Sequence, residues 1–297
     1  MANILVLEAS QSADKVNACR YSLLKYLEVY NLKPPADTAV YVYTDQPASF
    51  ESFIPFFQQF EIKEISKTQL KEWAGTGSPQ RVKMEIISEV FSHVDGNLLF
   101  LDTNTYIKVP LENIFAEIEK GIFFLHSYKA SLNSTTDIEL SQLSRFLATD
   151  VIQQNGQNLS IENVRIWNTN VIGLNSNYKP VLDDIIELND VIYKQFPKPA
   201  VEAFAFSYCL QKTGEVKTCK EQIQHYGNLK ELHQLLQLFF KRNEEESIPN
   251  LIKLLNVVDI ATIQKHKSSY ESLPFYKKWF QIITGKRWNI KQYKKKI

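Results

Sequence analysis

Three cysteines in 297 residues, Cys19, Cys209 and Cys219, are an odd number without the spacing of a disulfide framework or a Cys-x-x-Cys metal site. A reducing compartment is therefore expected, and with it a cytoplasmic location. Glycine is equally scarce, with nine residues, and the first half clusters it only at 75–79, Gly-Thr-Gly-Ser-Pro. No Gly-rich loop with its lysine follows the first apolar run, where Glu8-Ala9-Ser10-Gln11-Ser12 stands instead, which weighs against a nucleotidyltransferase. No apolar run approaches the roughly 18 residues that a membrane-spanning helix needs. The start passes from Met1 straight into Ile4-Leu5-Val6-Leu7 without a basic segment, so a secretory signal is not expected. Low-complexity tracts and internal repeats are missing as well.

What is present is an ordinary globular composition, 44% hydrophobic and 23% charged, rich in aromatics with 18 Phe and 14 Tyr. The length suits one large α/β domain or a core with an appendage. A net charge of +1 hides an uneven distribution. Residues 277–297 carry eight Lys or Arg and no acid, leaving 26 basic against 33 acidic residues, or −7, before them. An acidic body of that kind disfavours nucleic acid as a partner.

The run at 3–9 is apolar without alternation, as in a strand covered on both faces. Val16, Cys19, Leu23 and Leu27 then recur at helical spacing, with Asp14 near the helix start and Pro34-Pro35 beyond its end. Residues 39–43 form a second strand, 50–60 a short helix and 60–65 a third strand, an order that indicates a mostly parallel sheet. Ser78 is the expected N-cap of the next helix, with Pro79 at its first position and Met84, Ile87 and Phe91 as the buried stripe. Arg81 and Lys83 fall in its first turn, where cations oppose the helix dipole unless an anion lies nearby. A strand at 98–101, a helix at 111–119, a strand at 122–126, a helix at 137–150 and a strand at 164–174 follow. Polar Asn168, Thr169 and Asn170 interrupt the last of these, as though one face lined a pocket. Helices at 179–193 and 200–212, a strand-like 216–219 and a helical remainder complete the chain.

The most informative stretch is Leu98-Leu99-Phe100-Leu101-Asp102-Thr103-Asn104. A buried strand cannot carry an anion through its interior, so Asp102 marks its exit into a cleft. Alternation sends Asp102 and Asn104 to one side, where two hard oxygen donors suit a divalent ion that also holds phosphate. Turn chemistry accounts for the same residues without any ion. Ser10, Thr44 and Asp45, at the ends of the first two strands, are placed to reach a nucleotide, although turns also favour them.

These features, in this order, resemble the nucleotide-sugar glycosyltransferases of the GT-A fold, most closely the glycogenin-like and lipopolysaccharide galactosyltransferase branch. The strand ending in Asp102-Thr103-Asn104 is similar to that family's Asp-x-Asp strand, and Arg81 or Lys83 matches its basic residue before that strand. Trp167-Asn168-Thr169-Asn170-Val171-Ile172-Gly173 looks like a modified Phe-Asn-Ser-Gly-Val. Glu202 matches an acidic residue opening a later helix, and Gln224-His225-Tyr226-Gly227-Asn228 its His-Tyr-x-Gly segment. The likeness covers about residues 1–230 and implies a mixed, mostly parallel sheet flanked by helices, with 231–297 as a helical extension ending in a basic tail.

What the resemblance implies is a metal-dependent transfer of a sugar from a nucleotide diphosphate sugar to a glycan or lipid-linked acceptor. Asp102, Asn104 and His225 would bind Mn²⁺ or Mg²⁺, Arg81 or Lys83 would neutralise diphosphate, and Glu202, Asn168 and Asn170 would meet the sugar or acceptor. The chain departs from the pattern at Asn104, which removes a charge from the metal set, near Thr169 and Asn170, which lack the glycine, and at Leu229-Lys230-Glu231, which replace Lys-Pro-Trp. A sugar-nucleotide or glycan-binding protein with weakened catalysis is the alternative. In the tail, Phe275, Trp279, Ile282 and Ile283 form an apolar stripe flanked by Lys277, Lys278, Lys286 and Arg287, with Lys294–Lys296 beyond. That stripe either rests peripherally on an anionic membrane surface or packs on the catalytic domain.

Overall fold

The first apolar run becomes β1 (Ala2–Ala9) in the computed structural model, which describes residues 2–75, 77–149, 152–154, 157–227, 229, 231–285, 287–290 and 293. Leu5 and Leu7 feed the core on one side of the sheet and Ile4 and Val6 the core on the other, which is why the run does not alternate. After it come α1 (Ala13–Val29), β2 (Thr38–Thr44), β3 (Phe60–Glu64), α2 (Lys67–Trp73), α3 (Arg81–His93) and β4 (Gly96–Leu101). Strands β3, β2, β1 and β4 lie side by side and parallel.

The second half adds β5 (Thr105–Ile107), α4 (Glu112–Glu119), β6 (Phe123–Ser131), α5 (Ile138–Thr149), a small ribbon of β7 (Gln153–Gln154) and β8 (Gln157–Asn158), and β9 (Arg165–Asn175). Then follow α6 (Lys179–Tyr193), α7 (Ala200–Thr213), β10 (Val216–Thr218), β11 (Ile223–His225), α8 (Leu232–Arg242), α9 (Ile248–Leu254), α10 (Ile260–Glu271) and α11 (Phe275–Ile283). The main sheet has seven strands in the order β10-β6-β9-β4-β1-β2-β3. Strand β9 runs antiparallel between β4 and β6, so the sheet is mixed and mostly parallel, with helices on both faces.

Two expectations differ from the structure. Residues 50–60 hold 3-10 turns at 47–49 and 51–56, with Pro55 inside the second, because proline there cannot donate to a regular α ladder. Helix α3 starts at Arg81 with Gln80 as its cap residue; Ser78 lies outside it, its hydroxyl buried without a partner among the described residues. The helix expected over 137–150 is seen as α5, while Asp150 lies outside the described residues.

The described residues after 231 are mostly helical but do not stand apart. Leu232, Leu235, Leu236 and Phe239 of α8 share one apolar core with Leu23, Leu24 and Leu27 of α1. All three cysteines are buried. Among the described residues no helix is long and apolar enough to cross a membrane.

Candidate active site

Strand β1 has β2 on one side and β4 on the other, so the connections leaving the carboxyl ends of β1 and β4 diverge and open a crevice. Both strands put a carboxylate there: Glu8 at the end of β1, Asp102 one residue beyond β4. The crevice is a cleft of about 270 Å³, lined by Glu8, Gln11, Lys15, Lys83, Asp102 and Asn104 among others.

Lys83 reaches into it from the first turn of α3. Its ammonium lies 3.6 Å from Asp102 Oδ2 and 3.3 Å from Glu202 Oε1, and it donates to the Thr169 carbonyl at 3.3 Å. Glu202 is buried behind it, its other oxygen accepting from Thr169 Oγ1 at 2.8 Å. Burial by itself drives Lys83 toward the neutral form, but the Glu202 and Asp102 carboxylates outweigh it and hold its pKa above the ordinary lysine value. For Asp102, burial is likewise outweighed, by Lys83 and by the Thr103 backbone N–H at 2.7 Å, and the carboxyl stays below the usual aspartate range. Burial wins at Glu202 and raises its pKa against the pull of Lys83. A second lysine, Lys15 in the first turn of α1, pairs with Glu8 at 3.1 Å.

A short ribbon closes one side. Strand β5 pairs antiparallel with β11, placing His225 opposite Thr105 and so beside the Asp102–Asn104 turn. His225 Nε2 accepts from the Gly227 N–H at 3.2 Å and sits 2.7 Å from Asn170 Nδ2. That acceptor role leaves the ring proton on Nδ1. Burial foremost, and His126 next to it, push the His225 pKa down to about 4, so the imidazole is neutral at neutral pH. Gly227 is required by space, since a Cβ there would lie 2.4 Å from His225 Nε2. His126 is buried, with Nε2 3.1 Å from the Ile223 carbonyl, and its ring stands edge-on to His225 at 5.6 Å.

The side chains expected to bind a divalent metal do not fit one as they are arranged. Asp102 Oδ1 accepts from Thr103, Asp102 Oδ2 faces the Lys83 ammonium, and Asn104 Oδ1 lies 3.0 Å from His233 Nε2. His225 Nε2 spends its lone pair on Gly227 and Asn170. Among the described residues no three His, Cys, Asp or Glu side chains converge as a metal group. The Lys83 ammonium already supplies positive charge beside Asp102, 3.6 Å from its Oδ2.

Other expected site residues lie nearby without facing the cleft. Arg81 is held by Asp190 at 3.0 Å, Glu85 at 2.5 Å and the Trp73 carbonyl at 2.9 Å, so of the two basic candidates only Lys83 reaches Asp102. Ser10 is buried and hydrogen-bonds Glu8 through both its hydroxyl and its N–H. Thr44 Oγ1 donates to the Ala9 carbonyl at 2.7 Å, and Asp45 Oδ2 accepts from the Gln11 N–H at 3.2 Å. Asn168 Oδ1 accepts from the Asn170 N–H at 2.9 Å, a local turn contact. Asn228 and Lys230 lie outside the described residues.

Sequence reasoning missed Lys15, Gln11 and His233. Lys15 carried the signal used for Lys83, a cation opposing the dipole in a first turn. His233 carried none: it reaches Asn104 only because α8 packs on α1, where its Nδ1 also lies 3.5 Å from Asp14 Oδ2.

No family model matches the chain, and no curated protein matches it in sequence. Among solved structures it is similar to mouse xyloside xylosyltransferase 1 in its apo form, with a TM-score of 0.48 and 8% identity over 74% of this chain and 85% of that one. A likeness of that size leaves family and activity to the chain's own residues.

Proposed function

We propose that the β1/β4 cleft binds a nucleotide diphosphate sugar and that the chain is a glycosyltransferase, moving that sugar to a glycan or lipid-linked acceptor. The observation that carries the reading is the largely buried Lys83 ammonium, fixed by Asp102 and Glu202 at the carboxyl ends of parallel strands. Such a group is a preorganised positive charge in a site of low dielectric, where it stabilises a leaving diphosphate far better than water does. Lys15 adds a second cation on the same cleft.

In this reading Glu202 and Thr169 hold Lys83 in place, Asp102 keeps it charged, and Asn170 and His225 form the wall beside the sugar. Mn²⁺ or Mg²⁺, the cofactor implied by the Asp-x-Asp likeness, would have to displace Lys83 from Asp102 and release Asn104 from His233. Donor binding is therefore proposed not to require a divalent ion. The engaged Asn104 also favours the second reading, a sugar-nucleotide-binding protein with weak or no transfer.

A melting-temperature screen of uridine, guanosine and adenosine diphosphate sugars, with and without Mn²⁺, tests the proposal, since a ligand that binds only the folded chain raises its stability. At least one sugar nucleotide is expected to raise the melting temperature in chelator, and to lose that effect in Lys15→Ala. No shift with any of them, with or without metal, would overturn it. Binding without release of free sugar or transfer to an added acceptor would select the second reading.

A further inference from the structure

Ten large hydrophobic side chains are exposed among the described residues, and six of them, Phe275, Tyr276, Trp279, Phe280, Ile282 and Ile283, lie in the nine residues of α11. No residue of this helix is buried. The expectation that its stripe packs on the catalytic domain is therefore not what the fold shows. At about 100° per residue the six fall within one arc of roughly 160°, while Lys277, Lys278 and Gln281 share the other side. The helix is not a loose end either. The chain returns to the core at Ile290 and Tyr293, both buried, where the Tyr293 hydroxyl lies 2.7 Å from His266 Nδ1. Trp288, half-buried, sits under the Lys267 ammonium at 5.6 Å. Both flanks of α11 are thus fixed while its apolar face points to water.

We propose that α11 lies in the plane of an anionic lipid bilayer, with its aromatic and isoleucine side chains at the acyl boundary and Lys277, Lys278 and Arg287 among the headgroups. Three observations favour lipid over a protein partner. The apolar face is continuous and carries Trp, Tyr and Phe, the side chains that settle at membrane interfaces. Its polar side is basic, and residues 277–297 contain no acid. The body before that segment sums to −7, so an anionic surface repels the body and attracts α11, which orients the molecule. A second copy would bring two basic flanks together. Lys286 and Lys294–Lys296 extend the basic sequence but lie outside the described residues. This surface is separate from the cleft and does not depend on the transfer reading.

Cosedimentation of the full chain with vesicles tests it. Binding is expected to phosphatidylcholine vesicles containing phosphatidylglycerol, and to be about tenfold or more weaker with phosphatidylcholine alone or in high salt. The Trp279→Ser, Ile283→Ser double variant should bind the mixed vesicles roughly tenfold or more weakly, with an unchanged melting temperature because neither side chain is buried. No sedimentation with the anionic vesicles, or equal sedimentation of the double variant, overturns the proposal. So does a wild-type dimer that the double variant turns into a monomer, because a second copy would then be what covers the face.

Discussion

The cleft and helix α11 break the usual rule of burial in opposite directions. In the cleft, charged groups are taken out of water: Lys83 and Glu202 are 11% and 6% exposed at the side chain. In α11, apolar groups are left in water, Phe275 at 84% and Phe280 at 62%. Neither arrangement is what folding alone would select. The difference lies in how each is made tolerable. The buried charges are compensated from within, by one another and by Thr169, so removing one leaves the rest stranded. The exposed side chains lie mostly in water, so removing them costs the fold little. The first region is therefore tied to stability, and the second is not.

The sharpest way to break that contrast is Lys83→Met, which leaves the buried Glu202 and the half-buried Asp102 without their counter-charge. A loss of about 3 kcal/mol in denaturant unfolding is expected, since removing one partner of a buried pair strands the other. The double variant Lys83→Met, Glu202→Gln should recover part of that loss. Next comes Gly227→Ala, whose new Cβ must push the His225 ring aside, at roughly 1–3 kcal/mol by the same measurement.

A third, smaller effect is pH dependence. His225 has a folded pKa near 4 against an ordinary 6.5, so the unfolded chain binds more protons between those values. Stability therefore falls as pH drops from 6.5 toward 4, and His225→Gln should flatten part of that slope in melting curves. His126, also depressed chiefly by burial, supplies a similar contribution that remains in the variant. The smallest effect belongs to α11, where Trp279→Ser should change stability by no more than about 0.5 kcal/mol. A larger loss would mean the helix packs on something after all.

Much of the fold was legible because apolar runs have few alternatives. The β1 and β4 runs, the helical spacing of Val16 to Leu27, and the break at Asp102 each report burial directly. The exit of Asp102 into a cleft follows from that logic, whereas Lys83 was marked by a cation opposing its helix dipole and His225 only by the likeness of its segment to His-Tyr-x-Gly. What stayed hidden depends on packing between distant segments. The three-residue pairing of β5 with β11 has too little sequence to announce itself, and His233 meets Asn104 only through the contact of α8 with α1. Arg81 and Lys83 looked equivalent, two residues apart on one turn, until Asp190 on α6 took up one of them. Ser78 has the right residue type for a cap, but the two residues after it stay outside the helix, and cap signals do not fix a boundary by themselves.

Everything proposed for the β1/β4 cleft turns on the grip of the Lys83 ammonium on a sugar-linked diphosphate. Calorimetric titration of the chain with the sugar nucleotide that most raises its melting temperature, in buffer containing a chelator, tests it most directly when run beside Lys83→Gln variant protein that retains its near-ultraviolet circular dichroism. Saturable binding to the wild-type chain is expected, with an affinity at least about tenfold weaker for the variant, in keeping with loss of a charge-assisted contact. Equal affinity for the two proteins, or binding by the wild type that appears only when Mn²⁺ is added, would contradict it.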